Sequence, residues 1–124
     1  MSLADKAILY FDEVMSSYPS SPDVKEAGAK KAEAVRMQAD KELYIANFYF
    51  RKKQYVSALG RFETLLKNYA SVDGFAQQAL YGGAASAKET GDRDKMNRFV
   101  KLLISKFPDS GEALKAKNEF RDAR

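Results

Sequence analysis

The sequence predicts an all-α protein in which short helical hairpins follow one another along the chain. Apolar side chains recur at i, i+4, i+7, i+8 and i+11 in three segments, residues 7–18, 58–69 and 96–107. This spacing places them on one face of a helix. The segments are followed by Pro19, Ala70 and Pro108, and proline cannot continue a helix. With only 3 prolines in 124 residues, and with alanine, lysine, leucine and glutamate throughout, the composition also favours helix.

Six helices follow from these patterns, and they group into repeats. We expect them at about 3–18, 22–52, 55–69, 74–90, 93–107 and 111–122. The second helix is unusually long, with Ser21 expected as its N-cap and Pro22 in its first position. A single domain over residues 1–124 would then have five parts: a half repeat at 3–21, a long connecting helix at 22–38, 34-residue repeats at 39–72 and 77–110, and a terminal helix at 111–122.

The sequence contains neither cysteine nor histidine, and this limits the chemistry it can perform. Without cysteine there is no disulfide, thiolate nucleophile or thiolate metal site, and without histidine the usual proton shuttle is missing. Gly82-Gly83 lacks a surrounding phosphate-binding motif, so we interpret it as a place where two helices pack closely. We therefore expect a protein that is not an enzyme and that binds no cofactor and no metal.

Positive charge is concentrated in the middle of the chain. The net charge is +4, and residues 51–67 carry five basic side chains against Glu63 alone. Such a segment can steer an acidic partner, or it can be a solvated helical face. The charge also suggests nucleic-acid binding, but no recognised binding motif accompanies it. We expect protein partners and no nucleic acid.

The length and small residues of the repeats resemble the tetratricopeptide repeat family. In the repeat at 39–72 the matching residues are Ala46, Tyr49, Ala58 and Phe62, with Ala70 in place of the usual proline. The resemblance implies a right-handed superhelical stack of helical hairpins with Phe62 in the core. It also implies an inner groove along the first helix of each repeat.

The phase of the repeat identifies the side chains that face this groove. Those we expect to bind a partner there are Leu43, Asn47, Phe50, Arg51, Tyr81 and Lys88. Phe50 and Tyr81 would serve as aromatic anchors, and Arg51 and Lys88 would recognise charge. The alternative is that the long second helix or a neighbouring repeat fills the groove.

A second resemblance covers nearly the whole chain. It rests on the order Phe11…Tyr18-Pro19-x-Ser21, a long alanine-rich helix, and Ile45-Ala46-x-Phe48-Tyr49-x-Arg51-Lys52-x-x-Tyr55-x-x-Ala58-x-x-Arg61-Phe62. This order resembles the C-terminal half of the BamD family, the tetratricopeptide lipoproteins of the outer-membrane β-barrel assembly machinery of Gram-negative bacteria. The family's lipid-anchored cysteine and first two repeats are not in this sequence. Because Tyr-Pro-x-Ser endings also occur in other periplasmic repeat proteins, a Tol-Pal or cell-envelope coordinator is the alternative.

The BamD-like resemblance implies a scaffold at the periplasmic face of the outer membrane. Its partners would be the POTRA domains of the barrel-forming subunit and other assembly lipoproteins. The full-length protein would be lipid-anchored and this part of it soluble. Arg61 is similar to an arginine of that family which pairs with an acid on the last POTRA domain, and it should project outward because it precedes the core residue Phe62. The alternative is a solvated arginine that interacts with Glu63 or with neighbours of Lys67.

Overall fold

The computed structural model describes residues 2–20, 22–72 and 74–120. Within them lie six α-helices: α1 (Leu3–Ser17), α2 (Val24–Arg51), α3 (Tyr55–Tyr69), α4 (Phe75–Thr90), α5 (Arg93–Lys106) and α6 (Gly111–Glu119). No strand occurs in the described ranges. The prediction of an all-α, tetratricopeptide-like fold is therefore confirmed.

Two helix boundaries differ by more than one residue from those expected: α6 ends at Glu119 and not at 122, and α2 starts later than predicted. The sequence predicts a helix from Pro22, whereas α2 begins at Val24 and its first backbone bond runs from the Ala27 amide to the Asp23 carbonyl, at 2.8 Å. The expected N-cap, Ser21, lies outside the described residues. No helix in the part of the chain that the structure describes is long and apolar enough to cross a membrane.

The chain divides into two compact units, of which the first is Met1–Lys41. It contains α1 and the first part of α2. Ser2 and Asp5 form a capping box at the start of α1, and Lys31 of α2 pairs with Asp12 of α1 at 2.5 Å. The expectation of a single domain over residues 1–124 stays a prediction.

The second unit, Glu42–Arg124, contains the large core side chains. Here α3 packs on α4, α4 packs on α5, and α6 packs on both α4 and α5. The largest fully buried apolar side chains are Phe62, Leu65, Val100 and Leu103, which come from the second helix of each repeat. Phe62 is only 1% exposed, so its predicted place in the core is confirmed.

Gly82 and Gly83 lie in the middle of α4, where neighbouring aromatic rings touch its backbone. A β-carbon built at Gly82 would clash with the ring of Phe62, and one built at Gly83 would lie 3.1 Å from the ring of Phe99. Phe62 comes from α3 and Phe99 from α5. The interpretation of this pair as a site of close helix packing is confirmed.

Candidate partner-binding surfaces

A cavity of about 500 Å³ opens on the exposed side of α4 in the second unit. It lies between the end of α2 and α6. Five of the predicted groove residues line it, namely Leu43, Asn47, Phe50, Tyr81 and Lys88. The end of α2 forms a wall of the cavity and does not fill it. The repeat phase therefore brings these residues together across two helices, as the spacing predicts.

The third wall of the groove is α6, a helix expected from the sequence but not predicted as part of the groove. Its lining residues are Glu112, Lys115, Glu119 and Phe120. Three of them follow the α4 lining residues Gln78, Tyr81 and Ala85 by one 34-residue repeat length. Extending the repeat phase past residue 110 would have identified them.

Tyr81 lies at the centre of the contacts between α4 and α6. Its hydroxyl donates a hydrogen bond to the Glu119 carboxylate, and the Lys115 Nζ lies 5.1 Å from its ring centroid. Its ring also lies 5.9 Å from that of Phe120. Burial raises the pKa of Tyr81 above its ordinary value, and the hydrogen bond to Glu119 and that carboxylate's charge raise it further. The phenol is therefore held protonated, as a hydrogen-bond donor.

The groove combines apolar rings with charges of both signs. Lys88 Nζ lies 5.8 Å from the ring centroid of Phe120, and Glu89 lines the same cavity. Such a surface can hold an extended peptide by aromatic contacts and orient it by charge. In the described parts of the chain, no group of three or more histidine, cysteine, aspartate or glutamate residues is placed to hold a metal ion.

Arg51, also predicted for the groove, lies outside the cavity lining. It is the last residue of α2, and its Cζ lies 6.0 Å from the ring centroid of Tyr44. Its long side chain folds back along the helix over that ring. The structure thus separates Arg51 from Phe50, its neighbour in sequence, which faces the groove.

Arg61 belongs to a second surface, on the outer side of α3. Its side chain is 44% exposed, and its Nη1 lies 3.4 Å from the Glu42 carboxylate of α2. Its Cζ also lies 5.8 Å from the ring centroid of Tyr49. Arg61 and Tyr49 border a shallow cavity of about 310 Å³, whose other lining residues are Val56, Ser57, Gly60 and Thr64.

The outward projection predicted for Arg61 is confirmed, but its ion-pair partner differs from the one named from sequence. Glu63 pairs with Lys95 of α5 at 3.3 Å, whereas Arg61 pairs with Glu42. The reason is geometric, because residues two apart on a helix point away from each other. Arg61 is therefore a partly exposed cation held between a carboxylate and a ring.

This chain is similar in sequence to an outer membrane protein assembly factor. The outer membrane protein assembly factor BamD of Rickettsia prowazekii (strain Madrid E) is 27% identical to this chain over 100 residues. That stretch is 81% of this chain but 39% of the relative, so the chain spans about two fifths of that protein.

A family model gives a second match, over a similar length of the chain. The model, described as the outer membrane lipoprotein family YfiO, matches residues 2–98. These residues run from the start of α1 into α5, and they include Arg61 and the α2 and α4 walls of the groove. The chain belongs to the YfiO family of outer membrane lipoproteins.

Proposed function

We propose that this chain is a protein–protein interaction scaffold of the outer-membrane β-barrel assembly complex, and that it is not an enzyme. The observation that carries the proposal is the family match over residues 2–98, which includes the exposed Arg61. In keeping with it, the relative from Rickettsia is named as an assembly factor. The proposed location is the periplasmic face of the outer membrane.

We assign docking on the POTRA domains of the barrel subunit to the face around Arg61. A guanidinium presents several N–H donors in a planar fork, and it grips a carboxylate with two parallel hydrogen bonds. The pair with Glu42 uses Nη1, so Nε and Nη2 remain on the other side of the fork. The Tyr49 ring limits the movement of the group, which lowers the entropy lost on binding an acid of the partner.

The groove on α4 is assigned to a different partner, an extended segment of another assembly lipoprotein. Phe50 and Tyr81 would contact its apolar side chains, while Asn47 and Lys88 would bind its polar groups. Leu43 would contribute apolar surface beside them. The two partners would then occupy different faces of the second unit.

Calorimetric titration with the purified membrane-proximal POTRA domain tests the docking face. Wild type should bind, and Arg61→Glu should lose about 2–5 kcal/mol of binding free energy because a desolvated charge pair is replaced by repulsion. Lys101→Glu is the matched control, since Lys101 is an exposed cation on α5 and its reversal changes the net charge by the same amount. Glu42→Gln should bind at least as tightly as wild type, because it frees Arg61 from its internal partner.

Equal affinities for Arg61→Glu and Lys101→Glu would remove Arg61 from the interface. Circular dichroism should show that Arg61→Glu remains folded, since an exposed ion pair contributes only about 0–1 kcal/mol to stability. If wild type does not bind the POTRA domain at all, the function moves to another periplasmic adaptor, such as a Tol-Pal coordinator.

A further inference from the structure

Near the end of α2, two solvent-exposed aromatic rings each have a cationic side chain lying close to the ring face. Tyr44 is 66% exposed and Phe48 is 40% exposed. Arg51 Cζ lies 6.0 Å from the Tyr44 ring centroid, and Lys52 Nζ lies 5.8 Å from that of Phe48. Spacings of seven and four residues put each cation on the same side of the helix as its ring. We call these four residues, together with Lys53, the α2 end patch.

The positive charge of this patch has no carboxylate partner within the described ranges of the chain. Arg51 and Lys52 are exposed, and the next residue, Lys53, adds a third exposed cation. Among the described residues of the second unit, Glu42 pairs with Arg61 and Glu63 pairs with Lys95, so neither carboxylate pairs with this patch. The carbonyl end of α2 attracts cations in its last turn, but it supplies only partial negative charge.

Lys53 occupies a backbone position that favours glycine. Its φ is 61°, and its amide donates to the Phe50 carbonyl at 3.0 Å while the Gln54 amide donates to the Tyr49 carbonyl at 2.9 Å. These are the two bonds of a Schellman motif, and α4 ends with the same pair of bonds at Gly91. A left-handed conformation is unfavourable for lysine, so the sequence keeps a cation where glycine would fold better. Strain of this kind points to a function for the side chain.

We propose that the α2 end patch binds an acidic segment of a partner protein. The Tyr44 ring holds the Arg51 guanidinium against the helix, so that the edge of its fork is available to a carboxylate with two hydrogen bonds. Lys52 and Lys53 bind a second acid nearby as point charges. This site lies outside the groove, and the proposal does not depend on docking through Arg61.

The arrangement favours protein carboxylates over a lipid surface. A peripheral membrane site inserts uncovered aromatic and aliphatic side chains below the headgroups. In the α2 end patch, the rings of Tyr44 and Phe48 carry cations above them, and insertion would separate these contacts. Cations held over rings are instead positioned so that each can bind an individual carboxylate.

Fluorescence anisotropy with the full chain tests the proposal. The probe is a fluorescein-labelled peptide rich in glutamate, and the matched probe has every glutamate replaced by glutamine. The glutamate peptide should bind, and its affinity should fall as salt is raised, whereas the glutamine peptide should not bind. Arg51→Ala and Lys52→Ala should each weaken binding by about tenfold. Lys101→Ala removes an exposed cation from α5 and should leave the affinity unchanged.

Two further variants separate recognition from folding. Tyr44→Ala should weaken binding because Arg51 loses its support, and Tyr44→Phe should restore it because the ring is kept. Lys53→Gly should weaken binding and at the same time raise the melting temperature by a few degrees, since it relieves the left-handed lysine. A variant that is more stable and yet binds less cannot owe its loss to misfolding.

Three outcomes would overturn the proposal. The first is equal binding of the glutamate and glutamine peptides. The second is equal affinity of Arg51→Ala and Lys101→Ala for the glutamate peptide. The third is binding to phosphatidylglycerol vesicles without any binding to the glutamate peptide, which would make the α2 end patch a membrane site.

Discussion

Phe62 of α3 lies in close contact with Gly82 of α4. The ring of Phe62 lies against the bare backbone of Gly82, at a distance that leaves no room for a β-carbon. A glycine in a helix interior is unfavourable by about 1 kcal/mol relative to alanine. The close packing of a fully buried aromatic ring offsets this cost, and it explains why α4 tolerates two consecutive glycines.

A matched pair of glycine substitutions tests this contact. Gly82→Ala should destabilise the protein by about 1–3 kcal/mol, because the methyl group overpacks the Phe62 ring. Gly60→Ala should stabilise it by up to about 1 kcal/mol, since Gly60 is exposed in the interior of α3 and its β-carbon would meet no atom within 4 Å. Urea unfolding of both variants measures the difference. Two changes of the same sign would mean that Phe62 does not touch Gly82.

For Arg61, the sequence predicts the direction of the side chain but not its ion-pair partner. The sequence indicates that Arg61 points outward, because the period of the helix fixes the direction of a side chain relative to Phe62. It does not indicate Glu42, which lies 19 residues earlier on another helix. An ion pair between helices depends on how they pack and on side-chain rotamers. Neither is encoded in local spacing.

The helix α6 is held against α4 by a small set of side chains. Tyr81 donates a hydrogen bond to Glu119, Lys88 lies over the ring of Phe120, and Phe120 itself is buried. Ser110 caps the start of α6 through a bond from the Ala113 amide at 3.1 Å. These contacts complete the third wall of the groove.

Tyr81→Phe should loosen this attachment, and the effect should depend on pH. Removal of the hydroxyl should cost about 1 kcal/mol near neutral pH, because the bond to the carboxylate is lost. The pKa of Tyr81 is raised in the folded protein above its ordinary value of 10.0, chiefly by burial and then by Glu119. The folded state therefore keeps its proton when the unfolded chain has lost it. The stability from this bond is fully present below about pH 10 and is lost as pH rises further.

Urea unfolding at pH 8 and at pH 11 measures this dependence. Wild type should be more stable than Tyr81→Phe at pH 8, and its advantage should shrink at pH 11. Tyr44→Phe serves as the control, because an exposed tyrosine hydroxyl should change stability by less than about 0.5 kcal/mol at either pH. An advantage that grows with pH would contradict the hydrogen bond to Glu119.

The sequence predicts which helices exist and in what order they follow more accurately than it predicts the residues at which they begin and end. The apolar period predicts α3, α4 and α5 to within one residue at each end, since these helices bury one face and end at a stop signal. The start of α2 differs because the turn before Val24 contains no apolar residue whose burial would fix the phase. The groove walls on α2 and α4 also follow from the period, whereas the placement of Arg51 over Tyr44 depends on a flexible side chain at a helix end.

The core of the molecule is distributed unequally between the two units. The buried apolar residues described in the first unit are Ala27, Ala34 and Ala39. All residues of α1 are described, and none of them is buried. In the second unit, Phe62, Leu103 and their neighbours bury large side chains completely. Since stabilisation rises with the apolar area removed from water, the second unit should dominate the free energy of unfolding.

Hydrogen exchange of the intact chain, followed by mass spectrometry, tests this inequality. Amides of α1 should open locally at low free energy, because the helix contains no buried residue and is held by its capping box, half-buried side chains and polar contacts such as the Lys31–Asp12 ion pair. Amides of α4 and α5 should exchange only through unfolding of the second unit, whose core they share. Since each 1.4 kcal/mol of opening free energy is a factor of ten in rate, α1 should exchange faster by a factor on the order of a hundred or more. Equal protection of α1 and α5 would instead mean that the two units unfold as one, and the side chains of α1 would then contribute to stability as much as the buried core does.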